Sequence, residues 1–374
     1  MDAPPVIGTL AELHAHIPDL RGAWVTDLDL RMIDIDWPTI DVTDAAFGGC
    51  RFADTIEDGL RSAGATVLPP IDSVGFTPYR GSLYTNEDLM RGYEPGHPET
   101  TLDARIGATC VNDMTALGSL ARGIHDACID GALQRFLGTL DAPIVGVMGS
   151  HAVGRDDPSY REVAELGRLL TRAGFVVATG GGPGLMEAAN LGAWLAHAPD
   201  DVLAAAIAVL AVAPRYETDA RAFLERALEV RARWPDGAVS LGVPTWLYVD
   251  EPLNQFSTQI AKYFQNSIRE NGLLAIALGG VVFAPGGSGT SQEIFTDAAQ
   301  NDYTLYGVRS PMVLMGADHY AHEPQLVAAL RSTAEHGGWA HLVKVVDGAA
   351  AAVAAIQELL PPDLVAPQLP LRKR

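Results

Sequence analysis

From about Pro143 onward, short uninterrupted apolar runs alternate with stretches whose apolar positions recur at helical spacing. Ile144–Gly149 reads as a strand, Tyr160–Ala173 as an amphipathic helix and Phe175–Thr179 as a second strand. The pattern then predicts a helix over Gly184–Trp194, a buried strand in the apolar run Leu203–Val212, and a helix around Ala220–Arg231. A strand around Thr245–Val249 and a long helix from Asn254 to about Leu274 follow. The remainder reads as strand Gly280–Ala284, helix Thr290–Asp302, strand Met312–Met315, helix Glu323–Glu335, strand Val343–Val346 and helix Ala349–Leu359. Strands that are apolar along their whole length, alternating with helices, imply a parallel sheet covered on both faces. The expected class is therefore α/β, with a Rossmann-like doubly wound sheet over residues 141–362 and a Pro-rich tail over 363–374.

Residues 1–140 carry a different rhythm. Between Leu30 and Phe52 two series recur every five residues: Met32, Trp37, Val42, Phe47, Phe52, and Leu30, Ile35, Ile40, Ala45, Cys50. Such a double series resembles pentapeptide repeats, which coil into a β-helix with one residue per side pointing inward. Two ordinary strands with coincidental spacing are the alternative. A small N-terminal region with a pentapeptide-like β segment at about 28–54 is expected, with a helical stretch over Gly107–Leu137 linking it onward.

Composition narrows the functional classes. Apolar residues make up 48% and charged residues 19% of the 374, ample for a core. No apolar run reaches the roughly 18 residues of a membrane-spanning helix, and the N-terminus has no basic-then-apolar signal. The three cysteines lack metal-ligand spacing, and the reading is of reduced thiols in a cytoplasm, with no metal site. A net charge of −20 disfavours nucleic acid. A small phosphorylated ligand remains compatible, because N–H groups at a helix start hold anions without a basic surface.

Two glycine-rich turns supply the candidate chemistry. The first, Thr179-Gly180-Gly181-Gly182-Pro183-Gly184-Leu185-Met186-Glu187, follows a strand and opens a helix. The second, Pro285-Gly286-Gly287-Ser288-Gly289-Thr290-Ser291-Gln292-Glu293, does the same. The first misses the G-x-G-x-x-G spacing of dinucleotide folds. The second lacks the Gly-Lys-Ser/Thr ending that serves β- and γ-phosphates, which favours a monophosphate. Either turn alone could be tight packing. Two of them at strand ends of one doubly wound sheet point to a ligand crevice. Phosphate would sit on the N–H groups of Gly287, Ser288 and Gly289 and the Thr290 hydroxyl, beside Gly286. Gly181, Gly182 and Gly184 would line the opposing side with Met186 and Glu187 behind, and Ser150 and His151 would reach in from the end of the first strand.

The runs G-G-G-P-G-L-M-E-A-A-N and P-G-G-S-G-T-S-Q-E resemble the LONELY GUY type of phosphoribohydrolase, a family often labelled lysine decarboxylase, over roughly residues 143–347. The resemblance implies hydrolysis of the N-glycosidic bond of a nucleoside 5′-monophosphate to free base and ribose 5-phosphate, with no cofactor, in a homodimer. It makes Glu293 the carboxylate that stabilises cationic character at the sugar, ionised under its helix dipole and not a proton donor. Asp297, one turn on, could share the cleft or lie on a solvated face. The family's M-H-x-R-K pattern is replaced by Asn266-Ser267-Ile268-Arg269-Glu270, with Arg269 about one residue from the family arginine. It is assigned to the site, or else to surface pairing with Glu270 or Glu293. Asn254–Gln259 opens the long helix and would form the base pocket or a cap. A decarboxylase would need a Schiff-base lysine. Of Lys262, Lys344 and Lys373 only the first lies near the motifs, so that label is set aside. A non-catalytic carrier or sensor of a nucleotide or molybdenum cofactor would use the same glycines and stays open as the alternative.

Overall fold

The computed structural model describes residues 5–248, 251–362 and 364. The tail expected over 363–374 and the end of the strand expected at Val249 lie outside the described residues, Leu364 apart. The chain divides into two compact units, one of residues 1–83 with 108–136, the other of residues 84–107 with 137–374.

In the first unit, β1 (Val6–Ile7), β2 (Trp24–Thr26), β3 (Ala46–Gly48) and β4 (Thr66–Leu68) stack in parallel in that order. Val25 pairs with Phe47 and Phe47 with Val67, so successive rungs lie 22 and 20 residues apart. The second matches the repeat of a coil with four five-residue sides, and the first exceeds it by two residues. The period has a polar half as well. Asp19, Asp29 and Asp41 each accept the backbone N–H two residues on, at 3.1, 3.3 and 3.0 Å, a local bond that turns the chain at a corner. Of the two apolar series, Leu30, Trp37, Ile40, Val42, Ala45, Phe47 and Cys50 are buried, and Ile35 and Phe52 are packed against them. Trp37, Phe47 and Phe52 meet edge-on at 5.5–5.9 Å between ring centres. Met32 departs from its series: it stands 93% exposed.

The second unit holds a seven-stranded, all-parallel sheet. Its strands are β5 (Ile144–Met148), β6 (Val176–Thr179), β7 (Ser240–Gly242), β8 (Gln259–Ile260), β9 (Val281–Phe283), β10 (Met312–Met315) and β11 (Val343–Val346). The spatial order is β11-β10-β9-β5-β6-β7-β8. The chain starts in the middle, winds outward through β6, β7 and β8, then returns beside β5 and winds the other way. This is the expected doubly wound, Rossmann-like sheet. Its inner strands are wholly buried, under helices such as Pro158–Arg172, Leu185–Trp194 and Ala349–Leu359, while the edge strand β11 is only partly buried. Among the described residues no helix is long and apolar enough to cross a membrane.

Three predicted elements differ. The run Leu203–Val212 is not a strand but part of the helix Asp200–Leu210. Its buried residues, Leu203, Ala206, Ile207 and Leu210, form a helical stripe, and the alanines and Val209 between them hid the period. The strand expected around Thr245 is displaced to Ser240–Gly242, leaving Thr245 only an isolated bridge to Tyr263. The long helix from Asn254 is broken into an extended segment, β8, and a helix over Asn266–Ile276. Polar side chains break it: Asn254 Oδ1 accepts the N–H of Phe256 at 3.0 Å, and the Thr258 hydroxyl both accepts from Ser240 N and donates to Ser240 O. The first of these bonds is local and the Thr258 pair ties the segment to β7, and both offer the backbone an alternative to a helix.

Candidate functional site

The sheet reverses its winding between β5 and β9, and a crevice opens outside the strands' carboxyl ends at such a point. The segments leaving β5, β6 and β9 there are Gly149–His151, Gly180–Gly184 and Pro285–Gly287. Ser150 ties all three together through its backbone. Its N–H donates to Pro285 O at 3.1 Å, and its carbonyl accepts from Leu185 N at 3.0 Å. Gly184 has φ +68°, and a Cβ there would stand 2.5 Å from Ser150 O and 2.6 Å from His151 O. Only glycine allows this crossing. The Thr179 hydroxyl donates to Asn190 Oδ1 at 2.6 Å and accepts from Gly181 N at 3.0 Å. Asn254 also donates to Asn190 Oδ1, at 2.9 Å, so the first turn is fixed from below.

The second turn caps the helix Ser288–Tyr303 with Gly287. Gly287, Ser288 and Gly289 are exposed. Thr290 is 6% exposed, its hydroxyl 2.1 Å from where a Cβ on Gly286 would stand, so close packing accounts for Gly286. Added Cβ atoms on Gly287 and Gly289 would meet nothing within 4 Å. A cavity of about 160 Å³ lies against this turn, lined by Gly286, Gly287, Ser288 and Thr290 together with His319 and Tyr320. Gly182 is not part of that cavity's wall. The two turns flank the end of β5, but the first turn, Gly180–Gly184, is buried and has no residue in that cavity's wall.

Arg269 ties the helix Asn266–Ile276 to the first turn. It is 8% exposed, donating from Nε to Val243 O at 2.9 Å and from Nη2 to Gly180 O at 3.4 Å. Glu270 stands 3.9 Å from its Nη1 and takes hydrogen bonds from Asn266 and Gln292. Burial pushes the Glu293 carboxyl up to about 7, against the pull of Arg269 and with the push of Glu270. The sequence expectation had the helix dipole keeping Glu293 ionised. Desolvation outweighs it, so both protonation states are populated at neutral pH.

Asp297 is not on a solvated face: it is 1% exposed, its Oδ2 has no hydrogen-bond partner, and burial raises it to about 8. The unfolded chain ionises near 4, so between about pH 4 and pH 8 the folded protein binds the extra proton. Stability therefore falls as pH rises through that window. Asp297→Asn removes the linkage. Relative to the unsubstituted protein it is expected to gain on the order of 2–4 kcal/mol between pH 5 and pH 8, read by urea denaturation at both values. A difference that does not change with pH would count against a protonated Asp297.

Met186 lies against the first turn, its sulfur 2.7 Å from where a Cβ on Gly180 would be. His151 is exposed and Ser150 half-buried. The Glu187 carboxylate is committed elsewhere. It is 1% exposed and takes two bonds from Arg155, at 2.8 and 2.6 Å, and one from the Tyr160 hydroxyl at 2.9 Å. Sequence reasoning missed Arg155, Tyr160, Asn190 and Glu251. Glu251 is half-buried. Its Oε2 lies 3.1 Å from a Cβ position on Gly182, and burial raises its carboxyl against His151, Arg269 and Lys262. It sits between Asp250 and Pro252 in a stretch with no periodicity, and no sequence signal marks it. Among the described residues no cluster of acidic, histidine and cysteine side chains could hold a metal ion.

The fold and the crossing at Ser150 define a Rossmann-like α/β protein with glycine turns at the switch point. A model of the SLOG cluster4 family matches residues 142–198, which span β5, β6 and the first glycine turn. No curated protein matches the chain. Among solved structures it is similar to the molybdenum cofactor binding protein of Rippkaea orientalis, at 17% identity over 58% of this chain and 96% of that one, TM-score 0.36. It is also similar to two structures of the molybdenum cofactor carrier protein of Chlamydomonas reinhardtii. These are 19% and 21% identical, cover 58% of this chain and 97% and 96% of theirs, and have TM-scores of 0.34 and 0.35.

Proposed function

We propose that the protein binds a nucleoside 5′-monophosphate at the switch point and hydrolyses its N-glycosidic bond. The observation that carries this reading is the double anchoring of Ser150, which puts both glycine turns at the end of one strand, with Arg269 on the first turn's carbonyl and in electrostatic reach of Glu293. The exposed N–H groups of Gly287, Ser288 and Gly289 hold the phosphate at a helix start. Glu293, in its carboxylate form, stabilises positive charge as the bond from C1′ to the base nitrogen breaks. The base leaves with the electron pair and gains a proton, water adds its oxygen to C1′, and ribose 5-phosphate results. Glu187 supports the first turn through Arg155 and does not touch the ligand.

The purified protein, given a panel of nucleoside monophosphates, is expected to release free base and ribose 5-phosphate in equal amounts, measured by chromatography. Tight binding with no base released from any member would make the protein a carrier that holds a phosphorylated compound on the same turns. Absence of both binding and release would remove the proposal.

A further inference from the structure

A second hollow adjoins the first glycine turn in the same unit. It is a cavity of about 160 Å³ walled by Asp103, Trp246, Tyr248, Glu251, Gln255 and Lys262. Asp103 comes from the helix Leu102–Cys110, which precedes the sheet in the chain. Its Oδ1 takes the Lys262 ammonium at 2.6 Å and the Trp246 indole N–H at 2.8 Å. The Trp246 ring is held by Phe264 at 4.6 Å and lies 5.3 Å from Lys262 Nζ. Two acceptors in this wall are unused. Gln255 is 1% exposed and its Oε1 has no partner, while its amide nitrogen reaches Leu253 O at 3.4 Å. The Glu251 carboxylate makes no hydrogen bond or ion pair among the described residues, and its Oε2 stands next to Gly182. A buried acceptor left unpaired is destabilising, so a ligand that supplies a donor to Gln255 is favoured.

The wall thus offers an aromatic ring, two free acceptors and one ammonium. Planar heterocycles are held by stacking and read at their hydrogen-bonding edges. Adenine presents one amino donor beside a ring acceptor. Uracil presents a single ring donor between two acceptors. Guanine and pterins present a ring N–H beside an exocyclic amino group, with a carbonyl next to them. We infer that this pocket recognises the 2-amino-4-oxopyrimidine edge common to guanine and pterins. Glu251 accepts from the ring N–H and the amino group, Gln255 takes the second amino hydrogen, Lys262 donates to the carbonyl, and Trp246 stacks on the ring. This assignment rests on the proposed phosphate site for the other end of the same ligand, and it names the class of base that site serves.

Calorimetry on the full chain tests it with GMP, IMP, AMP, ribose 5-phosphate and 6-hydroxymethylpterin phosphate. IMP differs from GMP only in lacking the 2-amino group. GMP or the pterin phosphate is expected to bind at least about tenfold more tightly than IMP and AMP, since a site built for a donor rejects the analogue lacking it. The tighter of the two identifies the source of the edge. Glu251→Gln and, independently, Gln255→Leu are expected to bring the GMP-to-IMP ratio close to one while leaving ribose 5-phosphate binding within about twofold. Equal affinities for GMP, IMP and AMP, with ribose 5-phosphate bound, would overturn the pocket assignment and leave the phosphate site standing. Preference for guanine or pterin without any ribose 5-phosphate binding would do the reverse.

Discussion

Arg155→Met is expected to cost about 3–5 kcal/mol of stability, the range for breaking a buried ion pair by removing one partner. Arg155 and Glu187 are each 1% exposed and joined by two hydrogen bonds. Arg155 also donates to Phe223 O at 2.8 Å, and its guanidinium lies 3.2 Å from the Phe223 ring centre. Methionine fills much of the volume but leaves the Glu187 carboxylate buried with only the Tyr160 hydroxyl. Replacing both partners, as in Arg155→Met with Glu187→Leu, is expected to recover most of the loss, because two apolar side chains leave no uncompensated charge. Urea denaturation of the two proteins reads this directly. A single variant within about 1 kcal/mol of the parent would show that the pair does not hold the first glycine turn in place. Glu187 stands in the first turn of the helix that the glycines open, so the single variant should also weaken ligand binding.

Glu293→Gln is expected to lower the rate of base release by about 10²–10³-fold while leaving nucleotide binding within a few fold, the mark of a group used in the transition state. The pH dependence gives the second readout. A carboxyl at about 7 is half ionised at neutral pH. If the carboxylate is the working form, the parent's activity climbs through pH 7 and levels off above about 8. The glutamine variant should lack that limb. Equal loss of binding and turnover would instead make Glu293 a residue that shapes the second helix.

The alternation of apolar strands and helices made the doubly wound sheet legible, because a strand buried on both faces is apolar along its whole length. The coil of the N-terminal unit was legible for a related reason, since each five-residue side turns one apolar side chain inward. What was hidden depended on contacts between distant segments. The helix Asp200–Leu210 was masked by apolar residues on its exposed side, and the break after Asn254 by side chains that bond locally. The glycine turns could be read as turns, but their meeting at Ser150 is a property of strand order. Glu293 and Asp297 were visible as carboxylates, whereas their raised proton affinities follow from burial in the folded unit. Glu251 and Lys262 gain significance only when Asp103, far back in the chain, closes the hollow beside them.

A crystal structure with ribose 5-phosphate bound is the most direct examination of the switch-point site. Phosphate oxygens are expected within hydrogen-bond distance of the N–H groups of Ser288 and Gly289, with C1′ directed toward Glu293. Phosphate bound away from the helix that starts at Ser288, with that turn left to solvent, would contradict it.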